Sequence, residues 1–123
     1  MQTIHTPNAP AAIGPYSQAK VVGNLVFTSG QIAIDPVVQK ITAATIEGQT
    51  EQIMKNLTAI LEAAGTSMDK VVKTTCFLAE IADFAAFNAV YAKYFPGKPA
   101  RSCFAVKDLP AGALAEVEVI AEL

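Results

Sequence analysis

The chain has 123 residues, of which 52 % are hydrophobic and 16 % charged, and its formal net charge is −2. This length predicts a single domain over residues 1–123, with roughly two thirds of the unfolded surface buried and no need for a disulfide or metal to fold. The nine basic residues form no run, which disfavours nucleic-acid binding and polybasic attachment to a membrane.

In chain order, Thr6-Pro7-Asn8-Ala9-Pro10 reads as an extended arm, because each proline biases its predecessor away from helix. Ile13-Gly14-Pro15-Tyr16 reads as a turn into a strand. Lys20-Val21-Val22 and Leu25-Val26-Phe27-Thr28 are β-prone and joined by Gly23-Asn24, the pattern of a tight hairpin. Gln31-Ile32-Ala33-Ile34 is expected to extend the sheet and stop at Asp35-Pro36. The first helix is predicted from about Thr45 to Ala64, with Ile46, Ile53, Leu57, Ile60, Leu61 and Ala64 on one face and Gly65 as the stop. Val71–Leu78 is β-branched and reads as a central strand. Asp83 is the expected cap of a second helix, whose Phe84, Phe87, Tyr91, Tyr94 and Phe95 form an aromatic stripe read as core. Pro96-Gly97 ends it, and two strands close the chain.

The order β-β-β-α-β-α-β-β predicts an α+β sandwich, with two helices on one face of a mixed sheet. The sheet's other face is then left for a partner. The apolar composition points the same way, to another copy of the chain. Met1–His5 lacks a basic segment followed by an apolar one, and the apolar run at Leu25–Ile34 is too short and too polar to span a bilayer. The expected location is the cytoplasm, with Cys76 and Cys103 as free thiols.

Arg101 stands in the strand-like stretch Pro99-Ala100-Arg101-Ser102-Cys103-Phe104, and such a charge needs an anionic partner. A glutamate of the last strand, Glu116 or Glu118, is one candidate. The carboxylate of a small substrate is the other, with the glutamate left free to handle a proton or a water. Glu116 and Glu118 are two apart and share a strand face. Cys103 has no base beside it, since His5, the one histidine, lies on the arm; the thiol reads as pocket wall rather than nucleophile. One histidine and no clustered cysteines argue against an ordinary zinc site.

Four stretches together resemble the RidA/YjgF family of imine deaminases: Ala9–Gln18, Phe27-Thr28-Ser29-Gly30-Gln31, Pro99–Cys103 and Glu116–Ala121. The resemblance covers nearly the whole chain. It implies a chorismate-mutase-like α+β fold and a homotrimer with a pocket between subunits. It also implies hydrolysis of 2-iminobutanoate, 2-iminopropanoate and related enamine/imine acids to 2-oxo acids and ammonia, which protects PLP enzymes. Neither metal nor organic cofactor is implied. By the same resemblance Arg101 clamps the substrate carboxylate, Glu116 orients or deprotonates the attacking water, and the Cys103 backbone amide contacts substrate. Tyr16 closes the pocket, and Ser29, Gly30 and Asn88 line it. Gly30 reads as a point of close substrate approach.

The chain departs from that family at Val37-Val38-Gln39-Lys40, where relatives often have Thr-Gly. It departs again in the short connection Phe95–Pro99, where many carry an aromatic residue in place of Lys98. A different class of function uses the same residues: a non-catalytic regulatory protein that binds 2-oxo acids or other metabolites. A chaperone-like or RNA-cleaving role, as claimed for some relatives, is the third, and the absence of a basic patch argues against RNA.

Overall fold

The computed structural model describes residues 1–123. Six strands form one sheet, in the spatial order β1 (Gln2–Ile4), β2 (Ala19–Val22), β3 (Leu25–Thr28), β8 (Ala115–Glu122), β6 (Val71–Leu78) and β7 (Ala100–Ala105). The pairing is antiparallel except between β6 and β7, which are parallel and joined through helix α2 (Phe84–Tyr94). A separate small hairpin pairs β4 (Ile34–Asp35) with β5 (Lys40–Ile41) and leads into helix α1 (Ile46–Ala63).

The β-β-β-α-β-α-β-β order holds for the six-stranded sheet, but its first strand is β1 from the N-terminal arm. Gln31–Ile34 does not extend the sheet as a strand. Gln31 makes one bridge to Val117, and Ile34 turns away into the β4–β5 hairpin. The cause lies in the backbone just before it. Three residues, Thr28, Ser29 and Gly30, stand opposite two, Glu118 and Val119, between the Phe27–Ile120 pair and the Gln31–Val117 bridge. That extra residue is a bulge, and it bends the chain out of the ladder. The turn after Asp35-Pro36 is closed locally. The Val37 N–H donates to the Asp35 carboxylate at 2.9 Å, and Gln39 takes the left-handed position at φ 58°.

Alternate residues of β8 decide the layering. Ala115, Val117, Val119 and Ala121 are buried under the helices with Val26, Thr74, Cys76 and Leu78. Helix α1 covers them with Ile53, Met54, Leu57, Ile60 and Leu61, all fully buried. Thr45 caps it, its hydroxyl accepting from the Gly48 N–H at 3.1 Å. It ends where Gly65 adopts φ 88° and the Thr66 N–H reaches back to the Leu61 carbonyl at 2.9 Å, a Schellman closure. Asp83 occupies the cap position of α2 but makes no capping bond. A 3₁₀ turn over Ile81–Asp83 runs straight into the helix, so Asp83 lacks the extended backbone that a capping side chain needs. The aromatic stripe divides: Phe87, Tyr91 and Phe95 are buried, whereas Phe84 is exposed and Tyr94 half-buried.

The opposite face of the sheet carries Phe27, Phe77, Phe104, Ile120, Glu116 and Glu118, and no element of the chain covers it. Phe77 and Phe104 meet edge to face on it, with ring centroids 5.4 Å apart. No helix is long and apolar enough to cross a membrane.

Candidate functional site

The sequence-predicted residues fall into two groups on opposite sides of the sheet. Arg101 pairs with Thr74 in the β6–β7 ladder, and Thr74 is buried on the helix side. Glu116 pairs with Phe77, one residue out of phase, so it projects from the open side. Of the two candidate partners for Arg101, a glutamate on the neighbouring strand is therefore not met within one chain. Strand β6 lies between β7 and β8, and the two side chains point in opposite directions. Arg101 is also exposed rather than buried, so it requires no internal counter-charge.

What fixes Arg101 is helix α2. Phe84, Asn88 and Tyr91 recur at helical spacing and face β7. The Arg101 guanidinium donates to Asn88 Oδ1 at 2.7 Å and lies 4.8 Å from the Tyr91 ring centroid and 5.4 Å from that of Phe84. Tyr91 is held in turn by a 2.8 Å hydrogen bond between its hydroxyl and that of buried Thr74. The guanidinium is thus stacked and oriented, with no carboxylate on it and further N–H groups free for an anion. A cavity of about 360 Å³ opens beside it, lined also by Phe95, Pro96, Lys98 and Pro99. Cys103 lies opposite Cys76 in the same ladder and is partly exposed. Burial raises its thiol pKa, against the pull of Arg101, and burial pushes that of Cys76 up to about 12. Neither thiol is activated as a nucleophile.

The second group surrounds Glu116 at the bulge. A cavity of about 340 Å³ is lined by Tyr16, Ser29, Gly30, Ile32, Pro110 and Glu116, among others. A Cβ on Gly30 would sit 2.9 Å from the Glu116 carboxyl carbon, with Oε2 closer still. Gly30 therefore admits the carboxylate of Glu116. Burial raises the Glu116 pKa, and the negative charge of Glu118 raises it further. Ser29 spends its hydroxyl on the Ser17 carbonyl at 2.6 Å, so it holds the loop rather than offering a free donor. Tyr16 is half exposed at the rim.

Two residues to which the sequence reading gave no site role complete these groups. Tyr91 supports Arg101. Its signal was a polar residue, Asn88, inside an aromatic stripe at helical spacing. Gln18 is 2 % exposed and bonds the backbone of the arm four times, accepting from Thr6 N–H and donating to the carbonyls of Thr6, Ala9 and Pro10. It fixes Pro10 and Ala11 against the Glu116 cavity. No three His, Cys, Asp or Glu side chains gather where they could hold a metal ion.

Residues 6–123 match the family described as Endoribonuclease L-PSP, which is the YjgF/RidA/RutC family. The chain belongs to the RidA/YjgF family. It is 49 % identical over 123 residues to Reactive Intermediate Deaminase A, chloroplastic, of Arabidopsis thaliana, covering 99 % of this chain and 66 % of that protein. RidA from an Antarctic Psychrobacter superposes with a TM-score of 0.96 at 42 % identity, over 100 % of both chains. TdcF of E. coli, solved with bound serine, superposes with a TM-score of 0.95 at 39 % identity, over 100 % of this chain and 99 % of that one. The chorismate-mutase-like sheet with two helices on one face is thus the fold of the RidA family.

Proposed function

We propose that this RidA-family chain hydrolyses reactive 2-imino acids, 2-iminobutanoate and 2-iminopropanoate among them, to 2-oxo acids and ammonia. The observation that carries the reading is Arg101, stacked and hydrogen-bonded in place yet without a carboxylate of its own. A guanidinium held in that way presents its fork to a planar carboxylate. The deaminase name of the Arabidopsis relative and the amino acid bound to TdcF favour a ligand of amino-acid type.

Arg101 and Glu116 cannot reach one substrate within a single chain, because the sheet separates them. The working site is therefore a composite of two copies, with the Arg101 cavity of one closed by the Glu116 cavity of the next around a homotrimer. The uncovered sheet face with Phe27, Phe77, Phe104 and Ile120 supports such an assembly.

In that site Arg101 holds the substrate carboxylate and fixes the plane of the adjacent C=N group. Glu116 takes a proton from water as its oxygen bonds to the imine carbon, and the C=N π pair moves to nitrogen, which is protonated. Collapse of the carbinolamine breaks the C–N bond, releases ammonia and leaves the 2-oxo acid. A carboxylate whose pKa is raised by burial suits both proton steps. His5, the one histidine, is exposed on the arm and lines neither cavity, so proton transfer falls to Glu116.

A coupled assay tests this. A PLP-dependent threonine dehydratase generates 2-iminobutanoate in the presence of semicarbazide, which competes for the imine. Wild type should suppress semicarbazone formation, and Arg101→Ala should lose at least about a hundredfold in kcat/KM with its fold intact. If neither protein competes while both stay folded and wild type binds 2-oxo acids, a metabolite-binding regulator becomes the better reading.

A further inference from the structure

Lys98 is the second cation of the Arg101 cavity. The polar side chains of that cavity are Asn88, Tyr91, Lys98 and Arg101, with no Asp or Glu among its lining residues. The chain's one ion pair, Lys93 with Glu51, lies elsewhere, so Lys98 has no acidic partner. Its backbone is also held. The Lys98 N–H donates to the carbonyl of buried Phe95 at 3.1 Å, prolines stand at 96 and 99, and Lys98 adopts φ 54°. That left-handed conformation is uncommon and strained for a lysine. The turn thus fixes a cationic residue on the wall of a cavity that already contains one cation.

We infer that Lys98 reads a second carboxylate, so that the site favours short 2-imino dicarboxylic acids and the matching 2-oxo diacids over their monocarboxylic counterparts. This rests on Arg101 being the clamp for the carboxylate next to the imine. The two cations suit different tasks. The planar guanidinium takes the fixed carboxylate through its fork, and the ammonium, a mobile point charge on a flexible stem, follows a carboxylate on a side chain. Two positive groups on one cavity wall also draw a dianion more strongly than a monoanion.

Titration calorimetry on the intact protein with 2-oxoglutarate and 2-oxobutanoate tests the inference without needing turnover. Wild type should bind 2-oxoglutarate about fivefold more tightly than 2-oxobutanoate, the worth of one partly solvated charge pair. Lys98→Met should bring the ratio to about one, Lys98→Arg should keep it, and raised salt should shrink it. Equal affinities in wild type overturn the inference. So does a preference that survives Lys98→Met, or a Lys98→Met variant that loses stability or assembly while the ratio stays. Arg101→Ala should lose both ligands. If it retains both, the clamp reading fails and this inference with it; if it loses both while Lys98→Met leaves the ratio unmoved, the inference fails alone.

Discussion

Glu116 occupies the space that any side chain at position 30 would need, and this makes Gly30 a positioning residue for the carboxylate. Gly30→Ala should displace Glu116 while sparing the core, because the clash falls on a movable side chain. We expect kcat to fall by about ten- to a hundredfold with KM little changed, as for small misplacements of a reacting group. The Glu116 carboxyl is held above its ordinary pKa by burial and by the charge of Glu118. Two consequences follow in opposite directions. Activity needs the ionised form, so the acid limb of the kcat/KM profile should lie above the ordinary carboxylate range of about 4.3. Stability behaves in reverse. The folded state binds the proton more tightly than the unfolded state, so the contribution of Glu116 is fully present below the unfolded pKa and is lost as pH rises through the folded one. Glu116→Gln should therefore abolish turnover yet raise the melting temperature near pH 7. The gain should vanish below about pH 4, which thermal melts across pH would read directly.

At the scale of elements, the arm over Thr6–Pro10 owes its course to one side chain. Gln18 bonds the arm's backbone four times from a buried position, and the Glu116 cavity takes Pro10 from the arm and Ala11 and Ile13 from the residues just after it. Gln18→Ala strands buried backbone groups and leaves a void. It should cost about 2–4 kcal/mol in urea unfolding, with turnover reduced through the loosened wall. Helical spacing made the helices legible, Gly23-Asn24 between β-prone runs the β2–β3 hairpin, and apolar, β-branched composition the central strand β6. Gln31–Ile34 misled for the same reason: it is apolar enough to be a strand, but the bulge at Thr28–Gly30 turns it out of the ladder. Asp83 has the right residue type for a cap and the wrong backbone. The motifs around Arg101 and Glu116 named the candidate site residues. Their facing could not be read from spacing alone, since it depends on β6 lying between β7 and β8.

The whole molecule presents two half-sites and one uncovered sheet face. In the proposed mechanism neither half suffices alone: one would offer the anion clamp, the other the carboxylate whose pKa burial raises. In the proposed homotrimer a threefold axis would bring the clamp of each copy to the carboxylate of its neighbour, and the apolar residues of the open face would leave solvent in the same step. Phe104, 46 % exposed in the single chain, and the partly buried Phe77 would then be interface rather than surface. The most direct test of this account is complementation between two inactive variants, Arg101→Ala and Glu116→Gln, unfolded together, refolded as a mixture and assayed for 2-iminobutanoate hydrolysis. Each mixed trimer would contain one site with both residues intact, so about a quarter of wild-type activity should return from an equal mixture. A mixture as inactive as its components, with mixed assemblies demonstrated by mass spectrometry, would contradict the composite site.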